Sequence, residues 1–344
     1  MIGELQNVLY VQTDGVVLRL DHDNVVITQD RAEVFRVPAH HISGIVALGR
    51  VSLTGPLTAM CAERGMSIAQ FKSNGRFEYR IEGRRSGNVL LRAAQHRLLG
   101  RSEQMAGLVQ AIIAGKLCNG RQVLLRSARD IGDPAKQTAL RDTAEEIARD
   151  IRRLRTFTTI DQLRGVEGIN AKRYFAQIPN HLHIHHDSFT FTARSKRPPR
   201  DPINALLSFL YSLLTNDCVS ALEAVGLDPQ VGYLHTLRPG RPSLALDLME
   251  EFRPVLADRL AFTLINRQQV RPEHFDGLPG GAVSLNDRGR REVITAYQER
   301  KKDEFEHPEL KQRVTYGTLP MVQARLLARA IRNERQHYIP FYSK

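Results

Sequence analysis

Roughly the first 80 residues alternate between apolar and polar positions with a period of two, which is typical of β-strands. Turn residues separate the runs, and Thr13-Asp14-Gly15 and Ser73-Asn74-Gly75 both predict hairpin turns. One short helix, residues 56–64, interrupts the series. We therefore expect a small, mostly antiparallel, sandwich-like β domain. The predicted strands cover residues 8–12, 16–20, 24–28, 33–38, 42–48, 67–72 and 77–81.

The apolar spacing changes to three and four residues after residue 88, which predicts helices through the rest of the chain. We expect an α+β protein in which a β-sandwich-like N-terminal domain (residues 1–82) precedes a larger, nearly all-α C-terminal domain (residues 90–344). Residues 83–89, which hold two glycines, are the predicted linker. The predicted helices cover residues 90–128, 134–155, 161–177, 202–225, 244–268, 288–305 and 319–333.

The charge balance points to a polyanionic partner. The chain of 344 residues holds 49 Lys and Arg against 37 Asp and Glu, which gives a net charge of +12. Nucleic acid is the simplest partner, with an anionic membrane surface as the competitor. We see no membrane-spanning apolar run and no secretory leader, and three scattered cysteines favour a reducing cytoplasm.

One stretch runs against this basic character. Residues 244–254 read LALDLMEEFRP and predict a helix with an apolar face. Asp247, Glu250 and Glu251 fall together on the opposite face of that helix. The ordinary explanation is a solvated acidic face. The alternative is a divalent-cation site, because like charges one turn apart are unfavourable unless a cation lies between them.

Two further residues favour the cation. His235 lies on a tight loop just before this helix, and Glu167 lies at the predicted start of another helix, where Gly165 and Gly168 would let backbone pack closely around it. Carboxylates with an imidazole, and no thiolate, suit Mg²⁺ or Mn²⁺. The alternative for Glu167 is an ordinary first-turn glutamate.

Three segments carry a resemblance to a known family. GVEGINAKRYF, DPINALLSFLYSLL and GLDPQVGYLHTLRPGRPSLALDLMEEFRPVLADR resemble the CRISPR-associated integrase of spacer acquisition, the larger of the two universal CRISPR adaptation proteins. The resemblance implies a prokaryotic, metal-dependent DNA endonuclease and integrase that inserts short foreign DNA fragments into a CRISPR array. It also implies a homodimer, formed through the N-terminal domain, and a small ferredoxin-like partner protein.

The resemblance also implies roles for individual residues. Glu167, His235 and Glu250 match the family's metal ligands, with Asp247 as a supporting or alternative ligand. Glu251 is then expected to be only solvated. All four matched residues are expected to be catalytic, with Mg²⁺ or Mn²⁺ as the cofactor.

DNA contacts are expected from basic and polar residues near the site. Arg84 and Arg85 lie in the predicted linker, and Arg253 lies one turn beyond Glu250 and could contact a phosphate. Asn204 resembles a polar position of the family near the site, or is an ordinary surface residue. Two other functions remain open at this point: a general metal-dependent nuclease for branched DNA in repair, and a non-catalytic DNA adaptor.

Two tracts have more than one interpretation. In the tract HLHIHHD, His181, His183 and His185 occupy alternate positions, so a strand would place them on one face. These histidines would then bind a separate metal, or the strand would belong to a surface hairpin. The C-terminal YIPFYSK predicts either a partner contact or a frayed tail.

Overall fold

The computed structural model describes residues 7–73, 75–83, 88–183, 189–195, 198–335 and 337–343. The chain forms two compact units. Met1–Gly87 with Leu285–Arg291 make the first, and Asn88–Ser284 with Glu292–Lys344 make the second. The first unit ends within the segment predicted as a linker. The inclusion of the short return segment, Leu285–Arg291, was not predicted.

The first unit holds two four-stranded sheets. One has the order β1 (Val8–Val11), β5 (Gly44–Leu48), β7 (Ser67–Phe71) and β8 (Phe77–Ile81). The other has the order β4 (Ala32–Pro38), β3 (Asn24–Gln29), β2 (Val17–Asp21) and β6 (Ser52–Leu53). The helix α1 (Gly55–Glu63) joins β6 to β7. Every predicted strand is present, and β6 is the only strand of the two sheets that was not predicted.

The strand pairing differs from the expectation of a mostly antiparallel sheet. Strand β5 pairs in parallel with both β1 and β7, and β2 pairs in parallel with β6. The hairpin predicted at Thr13-Asp14-Gly15 is wrong, because β1 and β2 belong to different sheets. The segment is still a turn, with Gly15 at φ +78 and the Asp14 carboxylate accepting the backbone N–H of Arg50 at 2.8 Å. Turn residues indicate that the chain changes direction, but they do not indicate whether the two strands that flank the turn pair with each other.

Apolar side chains from both sheets and from α1 share one core. Leu18, Ile45, Leu57 and Ile68 are all fully or almost fully buried within it. Apolar residues at alternate positions of a strand point to one face of the sheet, and this face is buried here, as the sequence predicted. The prediction of a small β-sandwich-like domain is confirmed.

The chain beyond residue 88 is largely helical, which confirms the predicted fold class. Helix α3 packs against α4 and α5, and α7 packs against α8 and α11. The predicted helix 90–128 is two helices, which separate at Gly100. The helices are α2 (Val89–Leu98), α3 (Ser102–Asp130), α4 (Pro134–Arg153), α5 (Ile160–Ala176), α6 (Ile178–His181), α7 (Pro202–Val225), α8 (Ser243–Met249), α9 (Arg259–Asn266), α10 (Asp287–Lys302) and α11 (Leu319–Ile331).

Two small ribbons were not predicted. They pair β9 (Phe275–Leu278) with β10 (Ala282–Leu285) and β11 (Glu304–Glu306) with β12 (Arg313–Thr315). Strands of three or four residues are too short for the alternation of apolar positions to show.

Helix α7 corrects the expectation that the chain has no long apolar run. Its mean hydropathy of 1.4 over 18 residues, and its length, would by themselves let it cross a membrane. However, 67% of that window is buried inside the protein, where α7 packs against α8 and α11. This is the pattern of a core helix, because a fully buried helix is apolar all round.

The histidine tract does not begin as a strand. His181 ends α6, is 1% exposed, and stacks on Phe262 with ring centroids 4.4 Å apart. Its Nδ1 lies 2.7 Å from the Ser127 hydroxyl oxygen. His181 is therefore a core residue and does not face solvent beside His183, while His185 lies outside the described residues. Burial lowers the pKa of His181 to about 3, and the charge of His183 adds to the shift.

We expect this histidine to make the protein sensitive to acid. Between pH 6.5 and about 3 the unfolded chain binds a proton that the folded protein excludes, so stability falls as the pH falls through that window. The slope from this one group is at most about 1.4 kcal/mol per pH unit. His181→Phe should flatten the dependence of the unfolding free energy on pH, measured by urea denaturation. The same change at the exposed His96 should leave the slope unaltered, and equal slopes for both variants would contradict the assignment.

Candidate metal centre

The acidic stretch is buried, and its helix is interrupted. Helix α8 ends at Met249, a π-helical turn covers Arg253–Asp258, and α9 then continues to Asn266. The predicted unbroken helix 244–268 is therefore wrong. Pro254 explains the break, because it has no N–H to donate to the carbonyl of Glu250. The backbone N–H of Arg259 instead reaches the carbonyl of Pro254, five residues back.

The three carboxylates do not form a solvated face. Asp247 and Glu251 are 0% exposed and Glu250 is 2% exposed, whereas the apolar Leu246 is the more accessible side chain of α8. The expectation that Glu251 is solvated is wrong. Each buried carboxylate needs its own set of donors, because an unpaired buried charge is strongly destabilising.

Asp247 holds the loop that carries His235. One carboxylate oxygen accepts the backbone N–H groups of Tyr233 and Leu234, at 2.6 and 3.0 Å. The other accepts the backbone N–H of His235 at 2.9 Å and lies 2.7 Å from its Nδ1. A proton on Nδ1 completes this last hydrogen bond, which leaves Nε2 as a neutral acceptor. Asp247 therefore fixes both the position and the tautomer of His235.

Glu250 is surrounded by cationic side chains. Arg253 donates from Nη1 to its Oε1 at 2.7 Å, and the Lys116 ammonium lies 2.7 Å from its Oε2. The Nε2 of His235 lies 3.8 Å from Oε1. Burial alone would raise the pKa of Glu250, but the charges of Arg253 and Lys116 outweigh burial and hold this pKa below its usual value.

Glu167 faces the same point from another helix. It lies in the middle of α5, not at a helix start as predicted, and its carboxylate contacts the Lys116 ammonium. The expected close packing around its flanking glycines is also wrong. A Cβ added at Gly165 or Gly168 would meet no atom within 4 Å, so this side of α5 is open.

Two of the three predicted ligands, Glu167 and Glu250, therefore converge on one ammonium, and the third, His235, lies beside Glu250. Lys116 contacts both Glu167 and Glu250, and His235 Nε2 lies 3.8 Å from Oε1 of Glu250. Within the described ranges, no three His, Cys, Asp or Glu side chains form a ready-made metal cluster. The donors themselves, two carboxylates and one imidazole nitrogen, suit Mg²⁺ or Mn²⁺.

Glu251 fastens the C-terminal segment. Its carboxylate accepts hydrogen bonds from the Tyr338 hydroxyl, the backbone N–H of Phe341 and the Gln323 amide. Burial raises the pKa of Glu251 to about 8 even though these three donors oppose the shift. The tail is therefore not frayed, since Tyr338 and Phe341 are 5% and 1% exposed.

The residues expected to contact DNA are placed differently from the prediction. Asn204 is 0% exposed, and its amide binds Arg194, Asp201 and the backbone of residues 193 and 195. It organises the loop before α7 and offers no group to DNA. Arg253 is 8% exposed and lies over the Tyr211 ring at 4.3 Å, so it orients Glu250 from inside the protein. Arg84 and Arg85 lie outside the described residues.

The position of Lys116 in the site was not predicted from the sequence. It is the one charged residue in the run AGLVQAIIAGKLC of α3. A single ammonium within an apolar run is a signal in itself, because lysine is almost never buried without a partner.

Comparisons with known proteins identify the family. Residues 9–299 match the family described as CRISPR associated protein Cas1. A CRISPR-associated endonuclease Cas1 from Moorella thermoacetica is 48% identical over 337 residues, which cover 98% of each chain. This chain belongs to the CRISPR-associated Cas1 family.

Solved structures share the fold across the whole chain. A casposase bound to integration product has a TM-score of 0.84 at 20% identity, over 98% of this chain and 95% of that one. A Cas6-RT-Cas1–Cas2 complex gives 0.84 at 21% identity, over 100% of this chain and 37% of that one. The expected family is thus confirmed, and relatives of this chain in that family are named CRISPR-associated endonucleases.

The role of Asp247 can be tested through stability. We expect Asp247→Asn to lower the free energy of unfolding by about 3 kcal/mol, because its amide turns a donor toward groups that already donate. Chemical denaturation measures the loss. Asp161→Asn, at a carboxylate that is 91% exposed beside Arg164, should change stability by less than about 0.5 kcal/mol. Equal losses at both positions would contradict the role of Asp247 in holding the loop of His235.

Proposed function

We propose that this Cas1-family protein cuts and joins DNA at a divalent-metal site made by Glu167, His235 and Glu250. The Lys116 ammonium between Glu167 and Glu250, with His235 Nε2 3.8 Å from Glu250, carries the proposal. That position already accommodates a cation between two carboxylates, and an imidazole nitrogen lies beside one of them. The donor set fits Mg²⁺ or Mn²⁺.

When bound, such a metal polarises the phosphoryl oxygen and favours the deprotonated form of the attacking oxygen. Glu167 and Glu250 supply anionic oxygens, and His235 supplies Nε2 because Asp247 engages its Nδ1. Arg253 keeps Glu250 ionised and oriented. Asp247 is thus a positioning residue in this scheme and not a ligand.

The reaction is a transesterification on a DNA phosphate. In integration the 3′-hydroxyl oxygen of the incoming fragment forms a new P–O bond, and the bond to the leaving 3′-oxygen of the target breaks. The attacking hydroxyl gives up its proton and the leaving oxygen gains one. In cleavage water replaces the 3′-hydroxyl. The same groups of the protein serve both reactions.

The charge of the chain suits double-stranded DNA as the substrate. A net charge of +12 favours contacts to the phosphate backbone, which tolerate any sequence and weaken with salt. Arg84 and Arg85 remain proposed contacts on this ground. The foreign fragment and the CRISPR repeat are the two proposed DNA partners.

The proposed assembly is a homodimer that works with the small ferredoxin-like adaptation protein in the prokaryotic cytoplasm. The N-terminal β-sandwich is the proposed dimer contact. Support comes from the shared fold of a Cas6-RT-Cas1–Cas2 complex. No membrane role is proposed, because the long apolar helix α7 is used in the core.

Strand transfer of a short duplex into a supercoiled plasmid with Mn²⁺ tests the function. We expect Glu167→Gln, His235→Ala and Glu250→Gln each to lower the rate at least about 100-fold, because each removes a proposed ligand. Glu299→Gln, an exposed pair with Lys302, should keep the wild-type rate and serves as the control.

The outcomes separate the alternatives. Full activity in all three site variants would refute the assignment of the site. Wild-type protein that cuts branched DNA but never joins fragments would favour a repair nuclease. Wild-type protein that binds DNA without any cleavage or joining would favour a non-catalytic adaptor.

A further inference from the structure

Lys116 lies between two of the proposed metal ligands. Its side chain is 12% exposed and contacts the carboxylates of Glu167 and Glu250. These are side chains from two different elements, α5 and the turn after α8, and Lys116 itself comes from α3. Its ammonium therefore ties three elements together at one charged point.

The approach of α3 to this point is fixed by the backbone. A Cβ on Gly115 would meet Pro340 at 2.8 Å and the Cβ of Glu251 at 3.1 Å, so only glycine permits this close packing. One turn further on, the Asn119 amide donates to the carbonyl of Glu251 at 2.7 Å. The Lys116 stem therefore starts from a fixed place, and only its flexible end can move.

We propose that Lys116 is an internal counter-cation that competes with the divalent metal for the Glu167–Glu250 pair. This inference rests on the proposed function, because it concerns the same metal site. Without a metal, the ammonium bridges two neighbouring carboxylates and holds α5 against the turn after α8. A divalent cation cannot share that position, because two positive charges within about 4 Å repel strongly in a buried site.

The structure provides a place for the displaced ammonium. A cavity of about 30 Å³ adjoins Lys116, with Asn170, Tyr174, Asp258 and also Arg253 among its lining residues. An ammonium is about as large as a water molecule, which needs roughly half that volume. Metal binding would move the lysine end by a change of side-chain rotamer and would leave α3 in place.

The consequence is a threshold for metal. Displacing Lys116 costs free energy, which lowers the affinity of the site for metal. At low metal concentration the two glutamates therefore stay paired with Lys116, and they become available only at a higher metal concentration. Removing the ammonium should therefore tighten metal binding, which is the opposite of what loss of an ordinary site residue does.

Titration calorimetry with Mn²⁺ on the full chain, without DNA, tests the competition. We expect Lys116→Met to bind Mn²⁺ at least about tenfold more tightly than the wild type. Lys116→Arg keeps the positive charge and should not bind more tightly. Lys301→Met removes another ammonium that is 10% exposed and paired with a carboxylate, Asp217, and should stay within about twofold of wild type.

The results distinguish this inference from the proposed function. If Glu167→Gln and Glu250→Gln bind Mn²⁺ as tightly as the wild type, the proposed site itself is wrong. If those variants lose binding while Lys116→Met binds no more tightly than wild type, the competition alone is overturned.

A crystal structure of the wild type with Mn²⁺ keeps the test independent of how the variants fold. We expect the Lys116 ammonium to have left both glutamates. An ammonium that still contacts both of them beside a bound Mn²⁺ would overturn the proposal.

Discussion

The buried negative charge of Glu250 is the constraint on which the helical unit depends. A carboxylate side chain that is 3% exposed is tolerated only if cations and donors surround it. Those groups come from three places. The π-helical turn presents Arg253, α3 presents Lys116, and the loop fixed by Asp247 presents His235. The interruption of the helix at Pro254 is therefore part of the site, since it sets the direction from which Arg253 approaches.

The three neighbouring carboxylates have separate tasks. Asp247 collects three backbone N–H groups and an imidazole, Glu250 faces the cations, and Glu251 holds the C-terminal segment. They lie at three- and four-residue spacing, so they would share one face of a regular helix. The end of α8 after Met249 lets Glu250 and Glu251 take different directions. A single acidic stretch can then organise a loop, the proposed metal site and a tail.

The sequence predicted the elements well and their environment poorly. Strands of the sandwich and helices such as α7 follow from apolar period, which is a local property. Parallel pairing of β5 with β1 and β7 depends on distant contacts and leaves no such local trace. Resemblance to the family brought Glu167, His235 and Glu250 together, as the structure does. The resemblance did not indicate that Lys116 belongs to the site. The prediction that Glu251 is solvated was wrong because Phe341, one of its hydrogen-bond partners, lies 90 residues away in the C-terminal segment.

The charge count at the centre connects metal binding to DNA binding. Glu167 and Glu250 face Lys116 and Arg253, and Asp247 faces His235, so these groups together carry one formal negative charge when His235 is neutral. A phosphodiester approaching that centre would be repelled. A divalent cation at the proposed site would reverse the sign, even with Lys116 nearby, and the centre would then attract a phosphate. In the proposed scheme, metal and DNA would therefore favour each other's binding, which is reciprocal by thermodynamic necessity. A site built in this way would engage the backbone of DNA only when the metal of the proposed reaction is already present.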